Sequence, residues 1–407
     1  MNHQNPTHIV VIGGGPAGLA FAQAAAQAQE LPCQRRKHQI KITLIEKNEF
    51  FFNTYGSLRA LVDASYLPKL FIPYDNALPK DGAAKIEHAI VNHVDYSANT
   101  ITFTPLPLPS KENSYTINED DQSIRYDYLI IATGSSYPTP IKPAIAVETR
   151  EEVTQSIIEM ADKIKAAESI LVIGGGAVGC EMAGELKTHH PQKNVMLLDS
   201  HSELVSTQQV PNIRAPLKKA LEKIGVKLHL GQKLSERYDS HQFGTKTLIT
   251  EDGLGVTSDV QLVCAGMKPN ISLMAEHPEC LDINRKSIKV KSNMQVDNSA
   301  FDTVFVIGDC SNHPTPKMGY WGQQQGNHLG KSLVAHIRSG KKKAIKPFKT
   351  PSTEALLIPI GPEGGVSQLP MFGGIIMGDY FTRTMKAKDL MATMTWGNLN
   401  ASISNWK

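Results

Sequence analysis

The sequence of 407 residues contains few cysteines, and no two of them stand close together. The five form neither C-x-x-C nor C-x4-C: Cys33, Cys180, Cys264, Cys280 and Cys310. The dithiol that a disulfide reductase needs is therefore missing, and the scatter favours a reducing compartment over a framework of disulfide bonds. We predict no metal site.

Long apolar runs and an excess of charge are also missing. No run approaches the roughly 18 apolar residues of a membrane-spanning helix. The initial M-N-H-Q-N-P-T-H has no apolar segment, so we expect no secretory signal, and Asn2 stands where N-myristoylation requires a glycine. With 42 basic and 39 acidic residues, bulk charge does not favour nucleic acid as a partner. We expect a cytoplasmic protein, at most peripheral on an intracellular membrane (mitochondrion or lipid droplet).

The stretch from Ile9 to Gly18, I-V-V-I-G-G-G-P-A-G, predicts a dinucleotide-binding turn. Its β-branched residues indicate a short buried strand that leads into Gly13-x-Gly15-x-x-Gly18 and an alanine-rich helix. Gly13 permits the tight turn, Gly15 lets the backbone approach a pyrophosphate, and Gly18 lets the helix pack on the strand. The N–H groups at the start of the helix would then face the phosphates.

A second strand, Lys41 to Glu46, ends in a carboxylate that can accept a ribose hydroxyl. It comes later than is usual for this motif, and the polar insertion from Leu31 to Gln39 accounts for the delay. The insertion does not change the order of strand, glycine turn, helix and acidic strand.

The same pattern occurs again. Ser169 to Glu181 is a strand that leads into Gly174-x-Gly176-x-x-Gly179, and the next strand ends at Asp199. Two complete motifs are far more specific than one, because chance would have to reproduce strand, glycine spacing and acidic end twice. The sequence therefore implies two bound dinucleotides.

Three further strands end in small or polar residues: Tyr126 to Gly134, Val260 to Asn270 and Val304 to Asp309. By sequence order the last of them inserts beside the first sheet, which makes the first domain discontinuous. We predict an α/β fold with two Rossmann-like domains, the second inserted into the first, and a small C-terminal α+β domain. The predicted boundaries are 1–140 and 270–345 for the first domain, 141–269 for the second and 346–407 for the third.

Three features leave alternatives open. The helix from Met318 to Arg338 carries a face of glycines, which indicates close approach either to a flat ligand or to a neighbouring strand. Arg59 is either beside a phosphate or ring, or on a surface helix. The third feature is a basic run, interpreted either as a solvated loop or as a membrane-surface contact: Lys341, Lys342, Lys343, Lys346 and Lys349.

The C-terminal segment predicts two short strands, Glu354 to Ile360 and Gly365 to Leu369, followed by an amphipathic helix. It is rich in methionine and aromatic residues, which suit an apolar substrate or a membrane face. For any single one of them, ordinary core packing or homodimer packing is the favoured explanation. The residues are Met371, Phe372, Met377, Tyr380, Phe381, Met385, Met391, Met394, Trp396 and Trp406.

The paired glycine motifs, Y-D-Y-L-I-I-A-T-G, A-G-M-K-P-N and V-F-V-I-G-D-C together resemble the flavoprotein reductases that bind two dinucleotides. The chain looks most like the apoptosis-inducing-factor-like oxidoreductases known as ferroptosis suppressor proteins. That resemblance rests on Asn53 to Ala60, G-G-G-A-V-G-C-E-M-A-G-E-L-K-T, P-K-M-G-Y and K-A-K-D-L-M-A-T-M-T-W, and it covers nearly the whole chain. It implies FAD on the first domain, NADH or NADPH on the second, and reduction of ubiquinone-like or vitamin-K-like quinones.

The resemblance also implies roles for residues. Glu181 resembles the glutamate that contacts the nicotinamide end, although it could simply complement the helix dipole. Asp309 should hold the ribityl chain, Lys317 should stabilise negative charge on the reduced flavin, and Asp199 should favour NADH. We expect catalytic roles for Glu181 and Lys317. The expected cofactor-binding residues are Gly13, Gly15, Pro16, Ala17, Gly18, Glu46, Lys47, Arg59, Val91, Ala132, Thr133, Gly134, Gly174, Gly176, Gly179, Glu181, Asp199, Gly266, Asp309, Lys317 and Met318.

Two other functions compete with quinone reduction. A ferredoxin or rubredoxin reductase would want a charged docking face around the flavin, whereas the apolar C-terminal segment favours a small apolar acceptor. A death-signalling or DNA-binding flavoprotein would want a basic stripe, and only the lysine run supports one.

Overall fold

The computed structural model describes residues 6–29, 39–80, 82–106, 121–138, 141–143, 146–147, 149–206, 210–284, 286–350, 352 and 354–403. Cys33 and most of the insertion from Leu31 to Gln39 lie outside these ranges. None of the helices in the described ranges is both long and apolar enough to cross a bilayer.

The first part of the chain is mainly β-structure around one buried helix. A 3₁₀-helix, Ala64–Lys69, stands between α2 and β4. The elements are β1 (Thr7–Ile12), α1 (Pro16–Gln29), β2 (Ile40–Glu46), β3 (Phe50–Phe52), α2 (Ser57–Ala60), β4 (Phe71–Pro73), β5 (Ala84–Asp95), β6 (Thr100–Pro105), β7 (Gln122–Arg125), β8 (Tyr128–Ile131) and β9 (Ser135–Ser136).

The middle of the chain repeats the order of strand, helix and strand. Its elements are α3 (Arg150–Ala166), β10 (Ser169–Ile173), α4 (Ala177–His189), β11 (Asn194–Asp199), α5 (Arg214–Lys223), β12 (Lys227–Leu230), β13 (Gln242–Ile249), β14 (Gly255–Val263) and β15 (Lys268–Pro269). The strands β12, β11, β10 and β14 form a parallel sheet, and β13 closes it as an antiparallel edge.

The chain then returns to the first sheet. The elements are β16 (Leu281–Asp282), β17 (Ser287–Ile288), β18 (Val304–Val306) and α6 (Gly319–Arg338). Because β18 pairs in parallel with β8, a strand from beyond the second sheet completes the first, in the order β18-β8-β1-β2-β5-β6-β7. The predicted discontinuity of the first unit and the predicted fold class are therefore confirmed. The strands β5, β6 and β7 pair antiparallel in sequence order, as a meander at the edge of this sheet.

The glycine face of α6 packs on α1. A Cβ atom at Gly326 would overlap the carbonyl oxygen of Ala17, and one at Gly330 would lie 2.7 Å from that of Phe21. The neighbour is thus a helix, and the prediction of a flat ligand or a strand was wrong for this part of the face. The alanines of α1 and the glycines of α6 allow the two helix backbones to come into contact. The spacing of the glycines in the sequence did not identify α1 as the partner.

Residues 354–403 form a module of their own, called here the C-terminal module. Its elements are β19 (Leu356–Pro359), β20 (Gly365–Leu369), β21 (Ile375–Met377), α7 (Asp379–Thr382), a π-helix (Arg383–Ala387) and α8 (Ala392–Asn398). The two predicted strands are confirmed, a third antiparallel strand was not predicted, and the helical part is divided into three pieces. Trp396 and Leu399 lie in the main hydrophobic core, so the module packs firmly on the rest of the chain.

The basic run after α6 is exposed to solvent. The rings of His336 and His328 contact the backbone carbonyls of Lys343 and Lys346, so this segment follows the surface of α6. The exposure agrees with a solvated segment, and contact with a membrane surface stays a prediction.

Candidate functional site

The loop between β1 and α1 forms the first nucleotide cradle. Gly13 has a φ of +104°, and a Cβ atom there would lie 2.5 Å from the carbonyl oxygen of Ala132. A Cβ at Gly18 would overlap the carbonyl oxygen of Gly13, whereas nothing lies within 4 Å of the Cβ position at Gly15. Two glycines are thus required by packing, and the third faces open space beside the start of α1 at Pro16. This arrangement fits a pyrophosphate.

The carboxylate of Glu46, at the end of β2, lies against this loop. Its Oε2 accepts the backbone N–H of Gly14 at 2.5 Å, and its Oε1 accepts that of Asn48 at 2.8 Å. A buried acceptor at this place fits a ribose hydroxyl. The neighbouring Lys47 donates to the carbonyl of Ala146 at 3.0 Å. Val91 lies further along β5, three residues beyond the residue paired with Glu46.

The second cradle repeats this geometry between β10 and α4. Gly174 has a φ of +114°, a Cβ at Gly179 would overlap the carbonyl oxygen of Gly174, and Gly176 again faces open space. The carboxylate of Asp199 accepts the N–H of Gly175, and its Oδ1 accepts the N–H of His201 at 2.7 Å. The two cradles therefore have the same geometry, and in each of them a carboxylate accepts the backbone N–H of the middle glycine.

The two chain crossings between the sheets are bound to each other. Asn270 donates its backbone N–H to the carbonyl of Gly134 at 2.9 Å, and the hydroxyl of Thr133 donates to the carbonyl of Asn270 at 2.7 Å. Ala132 meets the first cradle at Gly13. Gly266 follows β14 with a φ of +82°, one residue after the Ala265 side chain that contacts the loop at Gly174.

Asp309 lies beside the first cradle. The residue before it, Gly308, has its Cβ position 3.2 Å from the Cβ of Ala17 at the start of α1. The carboxylate of Asp309 accepts the hydroxyl of Ser135 at 2.6 Å, and the ammonium of Lys142 lies 3.6 Å away. Sequence reasoning missed Ser135 and Lys142, which share no motif with Asp309.

Lys317 and Met318 precede α6. The ammonium of Lys317 donates to the carbonyls of Ser311 at 2.5 Å and His313 at 3.3 Å. Met318 is the N-cap residue, and its side chain packs against the main core. These bonds give Lys317 a structural role in the loop after Asp309, and its predicted catalytic role stays a prediction.

Glu181, on the first turns of α4, forms a buried ion pair with Lys386 of the π-helix. The two charged groups are 2.6 Å apart, with the side chains 12% and 10% exposed. Lys386 also donates to the carbonyl of Leu357 at 3.1 Å. Burial raises the pKa of the Glu181 carboxyl, and the charge of Lys386 opposes that effect. The pair joins the second cradle to the C-terminal module, which sequence reasoning missed.

Tyr55 lies between the first cradle and this ion pair. The ammonium of Lys386 is 5.7 Å from the centre of its ring. A Cβ atom at Gly319 would lie 2.8 Å from the Tyr55 hydroxyl and 3.4 Å from the Cγ of Pro16. Burial raises the pKa of Tyr55 to about 12, and the charge of Glu181 adds to the shift. Tyr55 therefore connects the start of α1, the start of α6 and the pair on α4.

The guanidinium of Arg59 is bound by protein groups. Its guanidinium forms a bidentate ion pair with Glu185, one turn beyond Glu181 on α4, and also donates to carbonyls of the C-terminal module. Both side chains are almost fully buried. Arg59 meets this carboxylate because α2 packs against α4, and its predicted contact with a cofactor stays a prediction.

The four cysteines in the described ranges, Cys180, Cys264, Cys280 and Cys310, are free and buried. Burial raises the pKa of each thiol. A buried thiol that resists ionisation is a poor nucleophile. The described cysteines therefore behave as packing residues.

Comparison with known proteins agrees with the geometry. Residues 7–326 match the family described as pyridine nucleotide-disulphide oxidoreductase. Ferroptosis suppressor protein 1 of Mus musculus is 28% identical over 398 residues, which cover 97% of this chain and 96% of that protein. Apoptosis-inducing factor homolog B of Dictyostelium discoideum is 25% identical over 409 residues, or 96% of each protein.

Solved structures share the fold. The sulfide:quinone oxidoreductase of Aquifex aeolicus superposes with a TM-score of 0.71 at 16% identity, over 98% of this chain and 92% of that one. The water-forming NADH oxidase of Lactobacillus brevis, bound to NADH, gives 0.62 at 20% identity, over 89% and 75%. The chain belongs to the pyridine nucleotide-disulphide oxidoreductase family and is an oxidoreductase with FAD and NAD(P)H as its cofactors.

Proposed function

We propose that this protein is an NADH:quinone oxidoreductase that acts on quinones of the ubiquinone or vitamin K type. One NADH, one proton and one quinone would give NAD⁺ and the hydroquinone. When bound, FAD accepts a hydride from the coenzyme and passes the electrons to the acceptor. The observation that carries the proposal is the buried pair of Glu181 and Lys386, which joins the second cradle to the apolar C-terminal module.

The residues of the chain bind and orient both cofactors. The loops at Gly15 and Gly176 would receive the two pyrophosphates, and Glu46 and Asp199 would accept ribose hydroxyls. Asp309 would hold the ribityl chain with Ser135 and Lys142 beside it. Lys386 would place a cation near the reacting end of the coenzyme, balanced by Glu181.

The C-terminal module supports an apolar acceptor. Phe372 is 95% exposed and Tyr380 is 84% exposed, and Met385 and Met394 are also exposed. Apolar side chains on a surface indicate an interaction site for an apolar partner. Homodimer formation and peripheral membrane contact through this module stay predictions.

Two steps of one experiment test the proposal. The purified yellow holoprotein is mixed with NADH without oxygen, and bleaching of the flavin is followed. A soluble quinone or an oxidised ferredoxin is then added. Rapid return of the yellow colour with the quinone and slow return with ferredoxin is expected. Faster reoxidation by ferredoxin would contradict a quinone acceptor.

A further inference from the structure

Three consecutive carbonyl groups at the end of the π-helix are bound by side chains of the first sheet's unit. Arg59 donates from Nη1 to the carbonyls of Ala387 at 2.7 Å and Lys388 at 3.3 Å. The hydroxyl of Tyr66 donates to the carbonyl of Asp389. Carbonyls at a helix end have no partner within the helix, and these side chains supply partners for them. The carbonyl of Asp389 also accepts the N–H of Ala392 at 2.9 Å.

The same guanidinium is also bound to α4. Arg59 Nε lies 3.0 Å from Glu185 Oε2, and Nη2 lies 2.6 Å from Oε1. The side chains are 3% and 2% exposed. The planar fork of arginine can bind a carboxylate and carbonyls at once, which the single ammonium of lysine cannot reproduce. Arg59 therefore joins α2, α4 and the end of the π-helix.

This connection runs beside the ion pair of Lys386. Lys386 is the residue before Ala387, and it pairs with Glu181. Glu181 is one turn before Glu185 on α4, so the two carboxylates lie on the same face of that helix. The backbone held by Arg59 is thus one residue from the ammonium that reaches Glu181. A shift of the carbonyl at Ala387 would move Lys386 with it.

The chain beyond the bound carbonyls is strained. Leu390 has a φ of +46° and Met391 a φ of +58°, both in the left-handed region. Such residues are strained and persist only when their surroundings hold them. The bonds from Arg59 and Tyr66 to the preceding carbonyls supply that support.

We propose that Arg59 is a positioning residue: by binding Glu185 and the carbonyls of Ala387 and Lys388, it sets the place of Lys386 against Glu181. Arg59 acts on the nucleotide site through Lys386 and binds no phosphate itself. This inference deepens the proposed function and rests on it, because it takes Lys386 to be the cation near the reacting end of the coenzyme.

A double-mutant cycle on the holoenzyme tests this role. The variants are Arg59→Lys, Lys386→Met and the double variant. The measurements are the rate of flavin bleaching by NADH without oxygen and the midpoint potential of the bound FAD. Lys386→Met should slow bleaching on the order of 100-fold, because it removes a preorganised cation from beside the reacting end of the coenzyme. It should also make the potential more negative, because a nearby cation is lost. Arg59→Lys should likewise slow bleaching and make the midpoint potential more negative.

The double variant decides between positioning and general stability. If Arg59 acts through Lys386, Arg59→Lys adds less than about twofold in the Lys386→Met background. Multiplication of the two single effects would overturn the inference, as would an unchanged potential in either single variant. Arg383→Lys is the matched control, because Arg383 lies on the same π-helix and pairs with the exposed Glu363.

A milder variant covers the case in which Arg59→Lys does not fold. Tyr66→Phe removes only the bond to the carbonyl of Asp389, and it should slow bleaching and shift the potential by a smaller amount. Wild-type values for Tyr66→Phe would then overturn the inference. Both measurements precede the acceptor, so a wrong quinone assignment would leave them unchanged and would appear only in reoxidation.

Discussion

We predict that coenzyme choice depends on the carboxylate of Asp199, and Asp199→Asn tests this. In the wild type both oxygens are held in place, one by the N–H of Gly175 and the other by the N–H and ring of His201. A hydrogen bond to a charged group contributes about 1.5–3 kcal/mol. With about 1.4 kcal/mol for each tenfold change, loss of the charge should lower kcat/KM for NADH roughly 10- to 100-fold.

NADPH should respond in the opposite direction. Two like charges about 4 Å apart repel by about 1 kcal/mol in bulk water and by about 4 kcal/mol near a protein surface. The 2′-phosphate of NADPH is therefore disfavoured beside Asp199. Removal of the charge should raise kcat/KM for NADPH by about fivefold or more. Steady-state kinetics with one quinone and both coenzymes measures the ratio. The control is Glu203→Gln, which removes an exposed carboxylate from the same segment. Comparable wild-type values for the two coenzymes, or an unchanged ratio in Asp199→Asn, would refute the reasoning.

Three further predictions address FAD, packing and pH. Asp309→Ala should give protein without flavin absorption, and a yellow variant would count against its role. Gly326→Ala should lower the free energy of unfolding by about 1–3 kcal/mol in urea titration, because its Cβ would overlap α1, whereas Gly397→Ala, which meets nothing within 4 Å, should not. Burial lowers the pKa of His241 to about 4. As the pH falls below about 6.5, the unfolded chain therefore binds a proton at His241 that the folded chain does not bind. The free energy of unfolding should then drop by about 2 kcal/mol between pH 7.5 and pH 5. His241→Asn should lose that part of the pH dependence, and an unchanged slope would contradict it.

Both cradles could be predicted from the sequence because their features are local. Gly13, Gly18 and Glu46 answer demands made by neighbouring backbone, and the same holds for Gly174 and Asp199 in the second cradle. Turn geometry and the ends of adjacent parallel strands place such residues without knowledge of the rest of the fold. The buried strands and the return of β18 to the first sheet followed from the same reasoning.

The centre of the candidate site could not be predicted in this way. Lys386 and Glu181 are 205 positions apart, and Arg59 and Glu185 are 126 apart. Their pairing depends on how the C-terminal module packs on α4, which no local pattern records. One signal was present: a lysine-rich K-A-K-D segment inside a methionine-rich, apolar stretch. Charged residues in such a stretch need partners when buried.

The C-terminal module binds both nucleotide units at once, through Arg59 and Tyr66 on one side and α4 on the other. A swing of one unit against the other would have to break the buried Arg59–Glu185 pair, and a buried charge that loses its partner is strongly destabilising. The C-terminal module therefore holds the two nucleotide units in a fixed position relative to each other. A hinge motion that exchanged spent coenzyme for fresh would therefore have to break this pair.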